Sequence, residues 1–104
     1  MKQNDKQREL LRIRLNGETA RMQWSALQQF FASGSVIAVS SDLDLVEVAV
    51  CIASDDKNKV VQWMAENRLG KATDTQANAW LEADAALWTV VVKPWILVQP
   101  EKPH

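Results

Sequence analysis

The side chains that could do chemistry are few. The only histidine is His104, the last residue, and a chain terminus holds a base in no fixed position. Cys51 is the single cysteine and sits in an apolar run, VAVCIA, which reads as a buried small hydrophobe rather than a nucleophile. One Cys and a terminal His leave the zinc-site spacings absent. The glycines Gly17, Gly34 and Gly70 are far apart and form no phosphate-cradling loop, so no cofactor or metal is expected. Carboxylates remain. Asp42, Asp44 and Glu47 cluster, with Asp55 and Asp56 beyond them. Three such groups near one helix start could bind a hard cation such as magnesium; the competing reading is helix capping and a solvated face. Glu82 and Asp84 lie between Trp80 and Trp88. Asp84 falls one helical turn from each Trp, and an acid on an apolar stripe can serve as a proton donor. The ordinary alternative is a cap, or a pair with an arginine.

The charges are unevenly spread. Residues 1–21 hold six basic and three acidic side chains, a net of +3, and the remainder holds six basic and ten acidic, a net of −4. Arg8, Arg12, Arg14 and Arg21 could meet phosphates, but no aromatic residues interleave with them as a single-strand groove requires. A basic helix against an acidic surface, its own or a partner's, is the better reading. Nucleic acid is therefore not the expected partner. With 104 residues, 47% hydrophobic and 24% charged, the chain reads as one soluble domain, residues 1–99, with a loose tail at 100–104. No apolar run approaches a membrane span, the N-terminus lacks a signal-peptide core, and a lone cysteine fits a reducing compartment, so cytoplasm is expected.

The elements that must position these groups follow from periodicity. A basic helix is expected over 5–15, with Leu11, Leu15 and Met22 on its apolar face and Leu10 beside it. Asn16-Gly17 breaks or weakens it. A second helix carries Trp24, Leu27 and Phe31 on one face, with Ser25 and Gln28 at capping-box spacing, and stops at Gly34. Val36–Val39 is a strand buried on both faces. Residues 43–53, LDLVEVAVCIA, fit either alternation or a helical stripe. Ser54-Asp55-Asp56 starts the next helix, Asn67 and Gly70 bracket its exit, and a weak strand runs through 69–72. Thr73 and Gln76 repeat the capping-box spacing, ahead of Ala77, Trp80, Leu81 and Trp88. The end, LWTVVVKPWILVQP, holds strands at 90–92 and 96–98, as a hairpin or as one bent edge strand, because Pro94 cannot donate to a ladder.

One internal likeness arbitrates. FFASGSVIAVSSD from Phe30 and WMAENRLGKATDT from Trp63, offset by 33 residues, both describe a helix end, a turn, a short strand and a new cap. The segment following the second copy is a plain helix, so 43–53 is read as a helix too. The second copy is the weaker strand, nearer an edge. The expected fold is α/β or α+β, about five helices on a three- to four-stranded sheet with a helix–strand–helix pseudo-repeat.

The segments GETARMQW, LQQFFASGSVIAV, LDLVEVA, DDKNKVVQWM and AWLEADAALWTVVVKPWILVQP, in that order over residues 10–99, resemble a family of short bacterial proteins known as domain of unknown function 2288. The resemblance implies a free-standing small domain and transfers no activity, substrate, cofactor or site residue. From the residues themselves, a non-catalytic interaction module acting as a homodimer is favoured over an enzyme, with Trp95, Val91, Ile96 and Val98 as its contact surface. A small ligand-binding protein or enzyme using Asp84 or Asp42 is the second reading, and a nucleic-acid-binding regulator the third.

Overall fold

The computed structural model describes residues 2–100. Within them lie five helices and a five-stranded mixed sheet, an α+β fold. In chain order these are α1 (Lys2–Glu18), β1 (Ala20–Gln23), α2 (Trp24–Ala32), β2 (Val36–Val39), α3 (Leu45–Ala53), α4 (Lys57–Ala65), β3 (Leu69–Lys71), α5 (Asp74–Ala83), β4 (Ala86–Val92) and β5 (Trp95–Pro100). The strands stand in the order β1-β4-β5-β2-β3. All pairs are antiparallel except β2 with β5, which run parallel.

The alternation of β5 explains the layers. Leu97 enters a core with Leu15 of α1 and Val48 and Ala49 of α3, against which Val60 and Trp63 of α4 pack. Ile96 and Val98 enter a second core with Trp24 and Leu27 of α2 and Ala77 and Trp80 of α5. The sheet is thus covered on both faces, and β5 reads as an unbroken apolar run because it has no solvent side. In the second core Trp24 lies 5.0 Å from Trp80 and 5.6 Å from Phe31, ring centre to ring centre. Each such aromatic pair adds about 0.5–1.5 kcal/mol beyond its buried area.

Residues 43–53 form α3, as the repeat requires, and Asp44 caps it by accepting from the Val46 and Glu47 amides. The capping box at Thr73 and Gln76 is present; the one at Ser25 is not, because α2 starts two residues earlier with Gln23 at its cap. The sheet has one strand more than expected. Ala20–Gln23, taken as the end of a helical face through Met22, pairs with β4 as an exposed edge. α1 runs through Asn16-Gly17 to Glu18. The C-terminal strands form a hairpin closed at Val92 and Trp95. Its Lys93-Pro94 bond is cis, which suits proline at the third position of a turn. The expected tail shortens: Pro100 belongs to β5, and 101–104, with His104, lie outside the described residues.

The repeat has a physical basis, and it extends further than two copies. Four helices end on a residue with positive φ: Gly34 at 80°, Asp55 at 60°, Asn67 at 60° and Asp84 at 49°. In each, the next amide reaches back five residues, as Ser35 to Phe30, Asp56 to Cys51, Arg68 to Trp63 and Ala85 to Trp80. This is the Schellman stop, which satisfies the last carbonyls of a helix. Glycine enters the left-handed region freely, and Asn and Asp more readily than other residues. Asp55 and Asp84 are therefore stop residues, Asp55 ending α3 where the sequence suggested the start of the next helix. Gly34→Ala is expected to cost roughly 1–2 kcal/mol. Asp55→Gly, which relaxes the same geometry, is expected to raise the unfolding midpoint; urea titration of both variants checks the pair of opposite signs.

Candidate functional site

One end of the sheet, where the parallel strands β2 and β5 finish, is concave. Open α/β sheets bind ligands outside the carboxyl ends of such strands. Two hollows of about 480 and 490 Å³ lie here, one lined in part by Ser40 and Ser41 and the other by residues 42–46. The first is lined among others by Ala38, Ser40, Arg68, Gly70, Thr73 and Gln76. The second is lined among others by Asn16, Asp42, Asp44, Trp88 and Gln99. Gln99 fixes the ridge between them. Its buried Nε2 donates to the carbonyls of Ser40 at 2.8 Å and Leu43 at 2.6 Å. Losing such a donor would orphan two carbonyls, at about 1–3 kcal/mol each.

Asp42 and Asp44 do share a hollow, but both are committed. Asp42 accepts from the Ser40 hydroxyl and, at 2.7 Å, from Arg68 Nη2. These hold its carboxyl below the usual range. Asp44 is spent on the helix amides. Glu47 turns away, toward α1. The three acids that cluster in sequence therefore face three different partners. Among the described residues no group of His, Cys, Asp or Glu gathers as a metal site.

Glu47 anchors the basic helix. Arg12 donates to its Oε1, while Arg8 Nη2 and Lys59 Nζ lie 3.8 and 3.7 Å from its Oε2. Cys51, one turn along α3, donates its thiol to the same oxygen at 3.7 Å. Burial alone would push the Glu47 carboxyl up; the Arg12 hydrogen bond and the charges of Arg12 and Lys59 outweigh it and bring it below the ordinary value. Burial pushes the Cys51 thiol up, which suppresses the reactive thiolate. The basic segment thus rests on an acid of its own chain.

The remaining candidates disperse. Asp84 is not on a stripe with Trp80 and Trp88, because α5 stops at Ala83 and Trp88 belongs to β4. Asp84 is an exposed helix stop that accepts from Gln23 Nε2 at 3.3 Å. Glu82 is exposed on α5. The arginines diverge: Arg8 and Arg12 face Glu47, Arg14 sits 3.8 Å from Glu18, and Arg21 lies 5.9 Å from the Trp88 ring centre. The expected contact surface is corrected as well. Ile96 and Val98 are core residues, 8% and 0% exposed, and β5 is central rather than an edge. Of the four, Val91 is exposed and Trp95 half-buried, its ring 5.9 Å from Lys71 Nζ. Sequence reasoning passed over Arg68 and Gln99, and read Gly70 as a helix exit where it lies inside β3. The available signal was a polar residue closing an apolar run, ILVQ, and a glycine inside a strand.

Glu47→Ala is expected to cost about 1.5–3 kcal/mol at neutral pH, the worth of hydrogen bonds to a charged group. A carboxyl lowered in the folded state lends stability that is complete above its unfolded value, about 4.3, and is lost as pH falls through the lower folded value. The gap between wild type and Glu47→Gln should therefore be widest near pH 7 and shrink below about pH 4, read by denaturant unfolding across pH.

Comparison with known proteins adds three findings. A family model described as "Protein of unknown function (DUF2288)" matches residues 10–100. A solution NMR structure of PA1075 from Pseudomonas aeruginosa is 45% identical, superimposes with a TM-score of 0.79, and is matched over 86% of this chain and 82% of its own. No curated protein matches. The family match across nearly the whole chain, with the same fold in a close relative, makes this chain a member of the DUF2288 family of proteins of unknown function.

Proposed function

We propose that this chain is a non-catalytic interaction module that self-associates as a homodimer through the outer face of α1. One observation carries the reading. Leu10 and Ile13 are 59% and 60% exposed, on the side of α1 opposite the residues that face the body, Arg8, Leu11, Arg12 and Leu15. Their spacing of three is that of an a and d pair. Glu9 and Arg14 flank them at the g and e positions, five residues apart. A parallel pair of α1 helices sets Glu9 of one copy beside Arg14 of the other, twice by symmetry. Arg14 spans 3.8 Å to the exposed Glu18, a contact weak enough to exchange.

The size of the contact sets its strength. Four partly exposed Leu and Ile side chains covered in a dimer supply on the order of 5 kcal/mol. A millimolar dimer corresponds to about 4.1 kcal/mol and a micromolar one to about 8.2. Lost translational and rotational freedom subtracts from this gain, so the association is weak, with a dissociation constant no tighter than about 0.1–1 mM. The same reading puts the protein in a bacterial cytoplasm, on the strength of its lone cysteine and its Pseudomonas aeruginosa relative.

Sedimentation equilibrium from tens to several hundred micromolar should show mass rising with concentration. The double variant Leu10→Ser with Ile13→Ser should stay monomeric and keep its circular dichroism. Glu9→Arg should weaken the association, and adding Arg14→Glu should restore it. A wild type that stays monomeric throughout, or a double variant that associates equally well, contradicts the reading.

A further inference from the structure

The hollow of about 490 Å³ lies between the last turn of α1, the first turn of α3 and the sheet, and self-association through α1 leaves it unused. Asn16 of α1, Leu43 and Asp44 ahead of α3, Trp88 of β4 and Gln99 of β5 line it. Its volume is that of a small-molecule site, with an apolar wall and a few convergent polar groups.

Three features of the lining favour a positive guest. The first is an unused acceptor. Gln99 is 8% exposed and spends its Nε2 on two backbone carbonyls, while its Oε1 accepts from no group among the described residues. That oxygen is not sealed off, because Arg68 Nε is the one fully buried side-chain atom without a partner among those residues. Oε1 therefore keeps its access through the hollow that Gln99 lines. Asp44 adds a second acceptor, since it caps α3 through Oδ1 alone and leaves Oδ2 and the charge. The second feature is the end of α1, 17 residues long, which has no basic side chain in its last turn. The negative end of its dipole thus lacks the cation that ordinarily complements it. The third is Trp88, 40% exposed, whose ring attracts cations to its face. Arg21 already lies 5.9 Å from the ring centre and lines no part of the hollow.

We propose that this hollow binds a small organic cation, a primary amine on an apolar body, whose ammonium donates to Gln99 Oε1 and Asp44 Oδ2 while the body packs on Trp88 and Leu43. An ammonium carries three donors and no acceptor, which suits a lining whose buried unused group is an acceptor. An anion is disfavoured, because the lining holds Asp42 and Asp44 and no basic side chain, and Asp44 already occupies the first amides of α3. A metal ion is disfavoured as well. Both oxygens of Asp42 are engaged, by Ser40 and Arg68, and among the described residues no cluster of three ligating side chains exists.

The probe is phenethylamine, titrated into the full chain at low salt and followed by NMR. It should shift the Trp88 indole and Gln99 side-chain amide signals saturably, with a dissociation constant on the order of 1 mM. Phenethyl alcohol, which keeps the body and lacks the charge, should bind about tenfold more weakly or not at all. Asp44→Asn keeps the helix cap and removes the charge; Trp88→Leu keeps an apolar wall and removes the ring. Each should weaken binding about tenfold with circular dichroism unchanged. Shifts that do not saturate, an alcohol that binds as well as the amine, or variants that bind it as wild type does overturn the proposal. A lysine side chain carries the same ammonium, so tighter binding of Nα-acetyl-lysine methylamide than of phenethylamine would assign the site to a protein partner and overturn the small-molecule reading. Glu9→Arg should bind the amine as wild type does, because the outer face of α1 and this hollow share no residue; that separates the site from the α1 contact.

Discussion

The fold depends on β5 having no solvent face. Ile96 and Val98 pack into one core and Leu97 into the other, so a three-residue run ties both helical layers to one strand. Burial of an aliphatic side chain stabilises by roughly 1.5–3 kcal/mol, and here that gain is available only if α3 and α5 cover opposite faces together. The parallel pairing with β2 and the antiparallel pairing with β4 fill both of its backbone edges. Everything capable of meeting a partner is consequently pushed outward, to the two edge strands, the outer helix faces and the hollows at the sheet's end.

The same constraint explains the polar chemistry. A buried strand that carries Gln99 next to its last residue must satisfy that amide, and it does so by holding the loop after β2. The loop then sets Asp44 at the start of α3, which turns Glu47 and Cys51 toward α1. Acids that look available in the sequence are in this way consumed by architecture: Asp42 by Ser40 and Arg68, Asp44 by backbone amides, Glu47 by the basic helix, Asp84 by a helix end. Self-association through α1 draws on none of these four acids.

Much of the architecture was legible in the residues. The buried run Val36–Val39, the stripe Trp24, Leu27 and Phe31, and the cap at Thr73 all follow from local pattern. The 33-residue likeness identified α3 where alternation alone was ambiguous, because both copies encode the same left-handed helix stop. β1 was not legible: four residues exposed along their whole length carry no periodic burial, and only pairing with β4 makes them a strand. The position of β5 at the centre was not legible either. An apolar run beside a proline fits an edge as well as an interior strand, and strand order is a non-local property. The candidate acids failed for a related reason, since spacing in sequence says which residues are near one another and not which way each one turns.

Amide hydrogen exchange followed residue by residue tests the central role of β5 most directly. Groups that open only by global unfolding report the full stability of the domain, while edges report local fraying. The amides of Ile96, Leu97 and Val98 should be among the slowest in the chain, and those of Leu69 and Lys71 orders of magnitude faster. Exchange in β5 as fast as at the β3 edge would contradict the account.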